Sequence, residues 1–221
     1  MGFLDRYKNP ADLPQRLPVF PLSGALLLPR ADLPLNIFEP RYLEMVADAM
    51  AGDRLIGMIQ PEQESESERP LLMAVGCAGR ITSYAETADD RLMITLTGVS
   101  RFRIAEELDA DTPYRQVIAN FHPFARDLVS DHGADEVNRP ALVKALRDYL
   151  NANDMKADWQ QVDAAPTEVL VNTLSLLAPY AAKEKQALLE APDLKTRADV
   201  LVALTEMTLA RTSKDKPARL Q

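Results

Sequence analysis

The sequence predicts an α+β protein in which a small bent β-barrel with one internal helix is followed by a carboxy-terminal helical bundle. Over the first half of the chain, apolar residues alternate with polar ones at strand spacing, and prolines interrupt the runs. Proline cannot donate to a sheet ladder, so these strands must be short and sharply turned. In the second half, apolar residues recur at helical spacing.

The opening strands lie in residues 17–42, LPVFPLSGALLLPRADLPLNIFEPRY. Prolines divide this segment into three apolar runs, and we expect strands over Leu17–Phe20, Ala25–Leu28 and Leu33–Phe38. Five prolines in 26 residues favour tight corners, which a small closed or strongly bent sheet requires.

The internal helix follows directly. Pro40 suits its first position, where a missing N–H costs nothing, and Gly52 suits a left-handed closing residue. One apolar stripe is formed by Tyr42, Leu43, Val46, Ala49 and Met50. Glu39 takes the cap position. We therefore interpret Glu39, Pro40, Arg41 and Tyr42 as a structural motif.

The remaining elements follow from the same patterns. Further strands are expected over Arg54–Gln60, Val75–Glu86, Arg91–Val99, Ser100–Leu108 and Tyr114–Phe121. Gly98 permits a bend, TADD at 87–90 suits a hairpin, and PEQESESERP at 61–70 is typical of a mobile loop. Helices are expected over Arg139–Asn153, Thr167–Leu177, Tyr180–Glu190 and Leu194–Arg211, with a short turn over Asp158–Asp163.

These elements give a division of the chain. It comprises an extension (1–14), a β subdomain (15–123), a linker (124–138), a helical bundle (139–212) and a flexible tail (213–221).

Composition restricts the class of function. The 221 residues are 47% hydrophobic and carry a net charge of −8, whereas general nucleic-acid binders usually show a basic face. No apolar run is long enough for a membrane span or a signal peptide, so we expect a cytoplasmic protein with no membrane partner. The single cysteine, Cys77, excludes an internal disulfide and a zinc site built from several thiolates, and we expect it in the core.

The order FPL, LLLP, LPLNIFEPRY, an amphipathic helix and IGMIQ resembles the amino-terminal substrate-binding domain of Lon proteases, over roughly residues 15–210. The resemblance implies a PUA-like barrel beside the helices and recognition of unfolded or damaged polypeptides. The sequence has no GxxxxGK[ST] phosphate loop and no recognisable ATPase or serine–lysine protease domain. We therefore expect a stand-alone bacterial-type member that is not an enzyme, with no catalytic, cofactor-binding or metal-binding residues.

Polypeptide binding would use a sheet edge and apolar pockets. The candidate contacts are Phe20, Leu22, Leu33, Leu35, Ile37 and Met58, each of which could instead be barrel core. A protein of this kind could act as an adaptor that hands clients to a separate ATP-dependent protease.

Two other classes stay open. An RNA-binding or regulatory PUA-like module would use Arg101 and Arg103, which share a strand face, together with Arg80 and Arg115. These arginines could equally pair with neighbouring carboxylates, namely Glu86, Glu106 or Glu107. A small hydrolase would need titratable groups that converge in a pocket. His122 and His132 lack the HExxH spacing of a metal site, and we expect no metal or acid–base role for them.

Overall fold

The computed structural model describes residues 3–62, 69–88 and 91–215, and it confirms the α+β class. The strands are β1 (Arg16–Pro21), β2 (Asp32–Ile37), β3 (Leu55–Ile59), β4 (Val75–Glu86), β5 (Leu92–Leu108) and β6 (Arg115–Asn120). The helices are α1 (Pro40–Ala51), α2 (Arg139–Ala152), α3 (Trp159–Ala164), α4 (Thr167–Leu177), α5 (Ala182–Glu190) and α6 (Leu194–Asp215). Short 3₁₀ helices span Phe3–Arg6, Pro10–Asp12, His122–Leu128 and Ala134–Glu136.

The six strands form one sheet in the order β2-β5-β4-β3-β1-β6, and β6 also pairs with β5. Five of the strands are thus linked in a closed circle of pairings, while β2, among the described strands, pairs with β5 alone. The β1–β3 pair is parallel, and the other pairs are antiparallel. The 17-residue strand β5 holds this arrangement together, because its first part pairs with β2 and its last part with β6.

Gly98 lies inside β5, where the sequence predicts a junction between two strands. A Cβ atom here would lie 2.0 Å from the carbonyl oxygen of Leu28, so only glycine fits. The Gly98 amide donates to Ala31 O (2.9 Å), and its carbonyl accepts from Arg30 N (2.8 Å). The prediction of a strand over Ala25–Leu28 is wrong, because these residues have irregular structure. The three leucines are buried, and the backbone of Arg30 and Ala31, just after them, bonds to Gly98.

Helix α1 begins at Pro40 as predicted, after Glu39 at the cap position. The predicted left-handed Gly52 is wrong, since its φ is −111°. Arg54 takes the left-handed conformation instead (φ 61°), and its amide donates to Ala49 O at 2.8 Å. The helix ends at Ala51, and the left-handed residue lies two positions beyond the predicted glycine.

The chain forms two compact units. The sheet unit comprises the described residues up to Ser130 together with Pro179–Leu189, so it includes most of α5. The helical unit comprises Asp131–Ala178 and the described residues from Glu190 onward. The predicted linker contains 3₁₀ structure, and α6 continues to Asp215. The predicted division into an extension, a β subdomain, a linker, a helical bundle and a tail stays a prediction. Most of the predicted loop, half of the TADD turn and most of the tail lie outside the described residues.

The core of the sheet unit is built from alternate residues of its strands. It includes Leu17, Val19, Leu55, Ile59, Ala78, Val99, Phe102, Val117, Ala119 and Phe121. The rings of Phe102 and Phe121 meet edge to face at 6.1 Å, a favourable aromatic geometry. Cys77 on β4 is fully buried, as predicted.

Three buried polar side chains fix α5 within the sheet unit. The Gln60 side chain donates to Ala182 O and Gln186 Oε1 (both 3.1 Å), and Gln186 donates to Val75 O (3.1 Å). Arg101 donates through Nη1 to Leu189 O at 3.0 Å. Buried polar groups need such partners to offset their lost hydration.

The helical unit is organised by side-chain caps. Asn138 accepts from Ala141 N at the start of α2, and Asp158 accepts from two amides at the start of α3. Asp193 accepts from Thr196 N at 2.7 Å, which confirms it as the cap of α6. Among the described residues, no helix combines the length and apolar character needed to cross a bilayer.

Candidate functional site

A cleft of about 440 Å³ opens in the sheet unit beside the start of α1 and the start of β6. We call it the proline–arginine cleft, because its described lining includes four prolines and three arginines. The lining residues are Pro21, Arg41, Tyr42, Pro61, Arg69, Pro70, Leu108, Ala110, Thr112, Pro113, Tyr114 and Arg115.

The chain places these residues at the ends of regular elements. Pro21 ends β1, Arg41 and Tyr42 lie in the first turn of α1, and Leu108 ends β5. Proline suits such positions because it has no N–H to leave unpaired beyond a strand. One consequence is that four wall positions have no backbone donor, so arginine and tyrosine side chains supply much of the donor capacity.

Arg41 and Tyr42 form one wall. The Arg41 guanidinium lies 4.6 Å from the centre of the Tyr42 ring and pairs with Glu39 Oε2 through Nη2 (2.8 Å) and Nε (2.9 Å). The Tyr42 ring packs against Phe20 with their centroids 4.3 Å apart. Burial raises the pKa of Tyr42. Tyr42 is only 6% exposed, so the accessible part of this wall is mainly the Arg41 side chain, which remains 41% exposed.

Arg115 forms another part of the lining and is held at three points. Its Nε and Nη2 bind the two carboxylate oxygens of Glu107 at 2.8 and 2.6 Å, and its Nη1 donates to Pro70 O at 2.6 Å. The hydrogen bond from Arg115 lowers the pKa of Glu107. Arg69 Nη2 lies 3.5 Å from the same carboxylate and is 60% exposed. Arg115 therefore shapes the cleft, and Arg69 lies at its edge.

Tyr114 links the segment just before β6 to helix α1. Its hydroxyl donates to Asp48 Oδ2 at 2.6 Å, which connects the start of β6 to α1. Burial, followed by the hydrogen bond to Asp48, raises the pKa of Tyr114 to about 12. The phenol is therefore neutral over the physiological range and acts as a fixed donor.

The predicted polypeptide contacts lie mostly in the core. Phe20, Leu35, Ile37 and Met58 are at most 8% exposed, Leu33 is half-buried and only Leu22 is exposed (37%). None of the six lines the proline–arginine cleft, although Phe20 supports the Tyr42 ring. Their role in polypeptide binding stays a prediction. Of the predicted structural motif, Arg41 and Tyr42 line the cleft, whereas Glu39 pairs with Arg41 and Pro40 begins the helix.

The arginines considered for RNA binding do not form one exposed surface. Arg101 is 3% exposed and paired with Asp127, and Arg80 donates to Asp53 O and to the Tyr7 hydroxyl. Arg103 is exposed. The alternative pairing of Arg115 with Glu107 is confirmed.

Other reactive groups are dispersed. His122 and His132 are exposed, and Cys77 is buried. Within the part of the chain that the structure describes, no three His, Cys, Asp or Glu residues are placed to hold a metal ion.

Two solved structures share this fold. A Lon N-terminal domain protein from Xanthomonas campestris aligns with a TM-score of 0.61 and 23% identity, over 85% of this chain and 97% of that chain. The N-terminal domain of the Mycobacterium avium complex Lon protease aligns with a TM-score of 0.64 and 17% identity, over 86% of this chain and 98% of that chain. The fold is therefore that of a Lon amino-terminal domain.

Residues 16–206 match the ATP-dependent protease La (LON) substrate-binding domain, and the chain belongs to this family. Lon protease 2 of Myxococcus xanthus is 28% identical over 209 residues, which are 89% of this chain and 24% of the relative. Lon protease 2 of Thermus thermophilus is 28% identical over 211 residues, which are 90% of this chain and 25% of the relative. The chain thus spans about a quarter of the length of these relatives.

Proposed function

We propose that this chain binds unfolded or damaged polypeptide segments without catalysing a reaction, and that the proline–arginine cleft receives them. The observation that carries the proposal is the cleft itself, whose lining combines proline and leucine side chains with oriented arginine donors. Such clefts are the usual form of a binding site. The family's description as a substrate-binding domain supports the same reading.

Rigidity favours binding here. Prolines limit the motion of the wall, and Arg115 is held by Glu107 and Pro70. A preformed site loses little entropy when it binds, so a flexible client bears most of the ordering cost. Weak, sequence-tolerant affinity is the expected result, which suits a protein that samples many unfolded chains.

Two narrower inferences, on the fold and on the partner, accompany the proposed function. We infer a PUA-like bent barrel, supported by the closing β5–β6 pair. We also infer a cytoplasmic adaptor that passes clients to a Lon-type ATP-dependent protease, because the similar proteins are Lon proteases.

The test is fluorescence anisotropy with three labelled probes: a permanently unfolded polypeptide, the same polypeptide folded, and a short single-stranded RNA. We expect a dissociation constant on the order of micromolar for the unfolded probe alone. Binding of RNA without binding of the unfolded chain would refute the proposal.

A pair of variants locates the site. Ala110→Trp fills the cleft, whereas Ala105→Trp adds the same side chain at an exposed position of β5 outside it. We expect about tenfold weaker binding for the first and no change for the second. Leu22→Ala tests the exposed predicted contact separately. If Ala110→Trp binds as the wild type does, the cleft is not the site.

A further inference from the structure

We propose that helix α5 controls the proline–arginine cleft, so that a client binds only while α5 is docked in the sheet unit; this inference rests on the proposed function. No residue of α5 is among the described residues that line the cleft. Two of the lining prolines, Pro21 and Pro61, nevertheless lie within three residues of groups that α5 holds in place. The helix therefore acts on the cleft indirectly, by positioning its walls.

The position of Pro61 depends on Gln60, which is buried. The Gln60 side-chain nitrogen donates to Ala182 O and to Gln186 Oε1 in α5, each at 3.1 Å. A buried amide that loses its partners carries an uncompensated desolvation cost, so release of α5 favours a different position of the Gln60 side chain. Pro61 follows directly in the chain, and this part of the cleft wall changes with it.

The position of Pro21 depends on Gly24, which has the left-handed conformation of a tight turn (φ 71°). The Gly24 amide donates to Gln60 Oε1 at 3.0 Å, and its carbonyl accepts from Lys185 Nζ at 2.9 Å. The first bond comes from a side chain that α5 fixes, and the second comes from α5 itself. Backbone groups in such turns need partners, so release of α5 removes the support of the turn that follows Pro21.

Helix α5 depends on docking for its own structure. It has nine residues, and an isolated helix of this length is marginal in water. Its buried residues are Gln186, Leu188 and Leu189. The segments before and after α5 belong to the helical unit, so adjoining sequence of the sheet unit does not hold it in place. Release of α5 therefore melts the helix, and the exchange of its backbone amides measures docking directly.

Docking of α5 and binding of a client must strengthen each other by the same factor, because a linkage between two equilibria is reciprocal. If the released state does not bind, a client at about ten times its dissociation constant favours the docked state about tenfold. A helix that only stabilised the fold would show no such response, since it does not line the cleft.

The test is hydrogen exchange of the wild-type protein, followed by mass spectrometry, with and without the permanently unfolded polypeptide at about ten times its dissociation constant. We expect the amides of α5 to exchange about tenfold more slowly with the polypeptide present, and those of α2 in the helical unit to keep their rate. Ala110→Trp, which fills the cleft, should abolish the difference.

Two variants of α5 test the contact with Gly24. Lys185→Met removes the donor to Gly24 O, whereas Lys183→Met removes the same charge from an exposed position of the same helix. We expect Lys185→Met to bind the unfolded polypeptide about three- to tenfold more weakly and to exchange its α5 amides faster. Lys183→Met should match the wild type in both measurements, and circular dichroism checks that each variant is folded.

The outcomes separate this inference from the proposed function. Binding of the polypeptide with unchanged α5 exchange, or with equal slowing in α5 and α2, would overturn control by α5 and leave polypeptide binding standing. Equal affinity of Lys185→Met and Lys183→Met would also overturn it, since the cleft would not need this support. Slowing that persists in Ala110→Trp would place the linked site outside the cleft and would overturn it as well. Absence of binding by the wild type would overturn both proposals.

Discussion

Replacement of Asp127 by asparagine should destabilise the sheet unit by about 3–5 kcal/mol. Asp127 is 8% exposed and accepts three bonds from Arg101: from Nε at 2.8 Å, Nη2 at 2.8 Å and the backbone N at 3.0 Å. Bonds to charged groups contribute about 1.5–3 kcal/mol each, and asparagine can keep only part of this set. Leu189 O and the Phe124 ring, 4.6 Å away, still contact the guanidinium, so the loss stays below the sum of the three bonds.

Urea unfolding followed by circular dichroism measures this change in the free energy of unfolding. The control is Asp199→Asn, which breaks the exposed pair with Lys195 and should leave the free energy of unfolding almost unchanged. The double variant Arg101→Met, Asp127→Leu removes both charges and should recover most of the loss. A loss below about 1 kcal/mol for Asp127→Asn, or a double variant no more stable than the single one, would refute the reasoning.

Three further changes are predicted. The pKa of Tyr114 is about 12 in the folded protein and about 10 in the unfolded chain, so the free energy of unfolding falls as the pH rises from about 10 to about 12. Tyr114→Phe should flatten that fall when urea unfolding is measured across this pH range. Glu107, whose pKa is lowered, contributes stability above its ordinary pKa that is lost as the pH falls, and Glu107→Gln should flatten the acid side of the same profile. Gly98→Ala should lower the free energy of unfolding by more than about 2 kcal/mol in thermal or urea unfolding, because the added Cβ would lie 2.0 Å from a backbone oxygen. The control Gly52→Ala, whose nearest contact would be 3.6 Å away, should be close to neutral. Equal losses in the two variants would contradict the packing argument.

Much of the fold could be predicted from the sequence, because local patterns specify it. Pro40 marks the start of α1, Asp193 caps α6, and the strand predicted over Val75–Glu86 coincides with β4. The errors arose where tertiary contacts override local preference. The run Ala25–Leu28 has strand composition, but the backbone just after it bonds to Gly98 rather than to a strand along its length.

The cleft was harder to predict, because its walls come from separate segments. Arg41, Arg69 and Arg115 are far apart in sequence, and periodicity gives no sign that they converge. The prolines at the ends of strands are a usable signal, because four of them line the cleft. The predicted polypeptide contacts do not line the cleft, because most of them are buried in the core. Strongly apolar strand residues such as Ile37 usually face the core.

The inclusion of Pro179–Leu189 in the sheet unit has a consequence for how the protein is made. Gln60 leaves the ribosome 126 residues before Gln186, its hydrogen-bond partner, and Arg101 leaves 88 residues before the Leu189 carbonyl. At translation rates of about 5–20 residues per second, about 6–25 s pass between the synthesis of Gln60 and that of Gln186. During that interval the nascent sheet unit is itself an unfinished polypeptide with exposed polar and apolar core groups, which is the kind of surface that the completed protein is proposed to recognise.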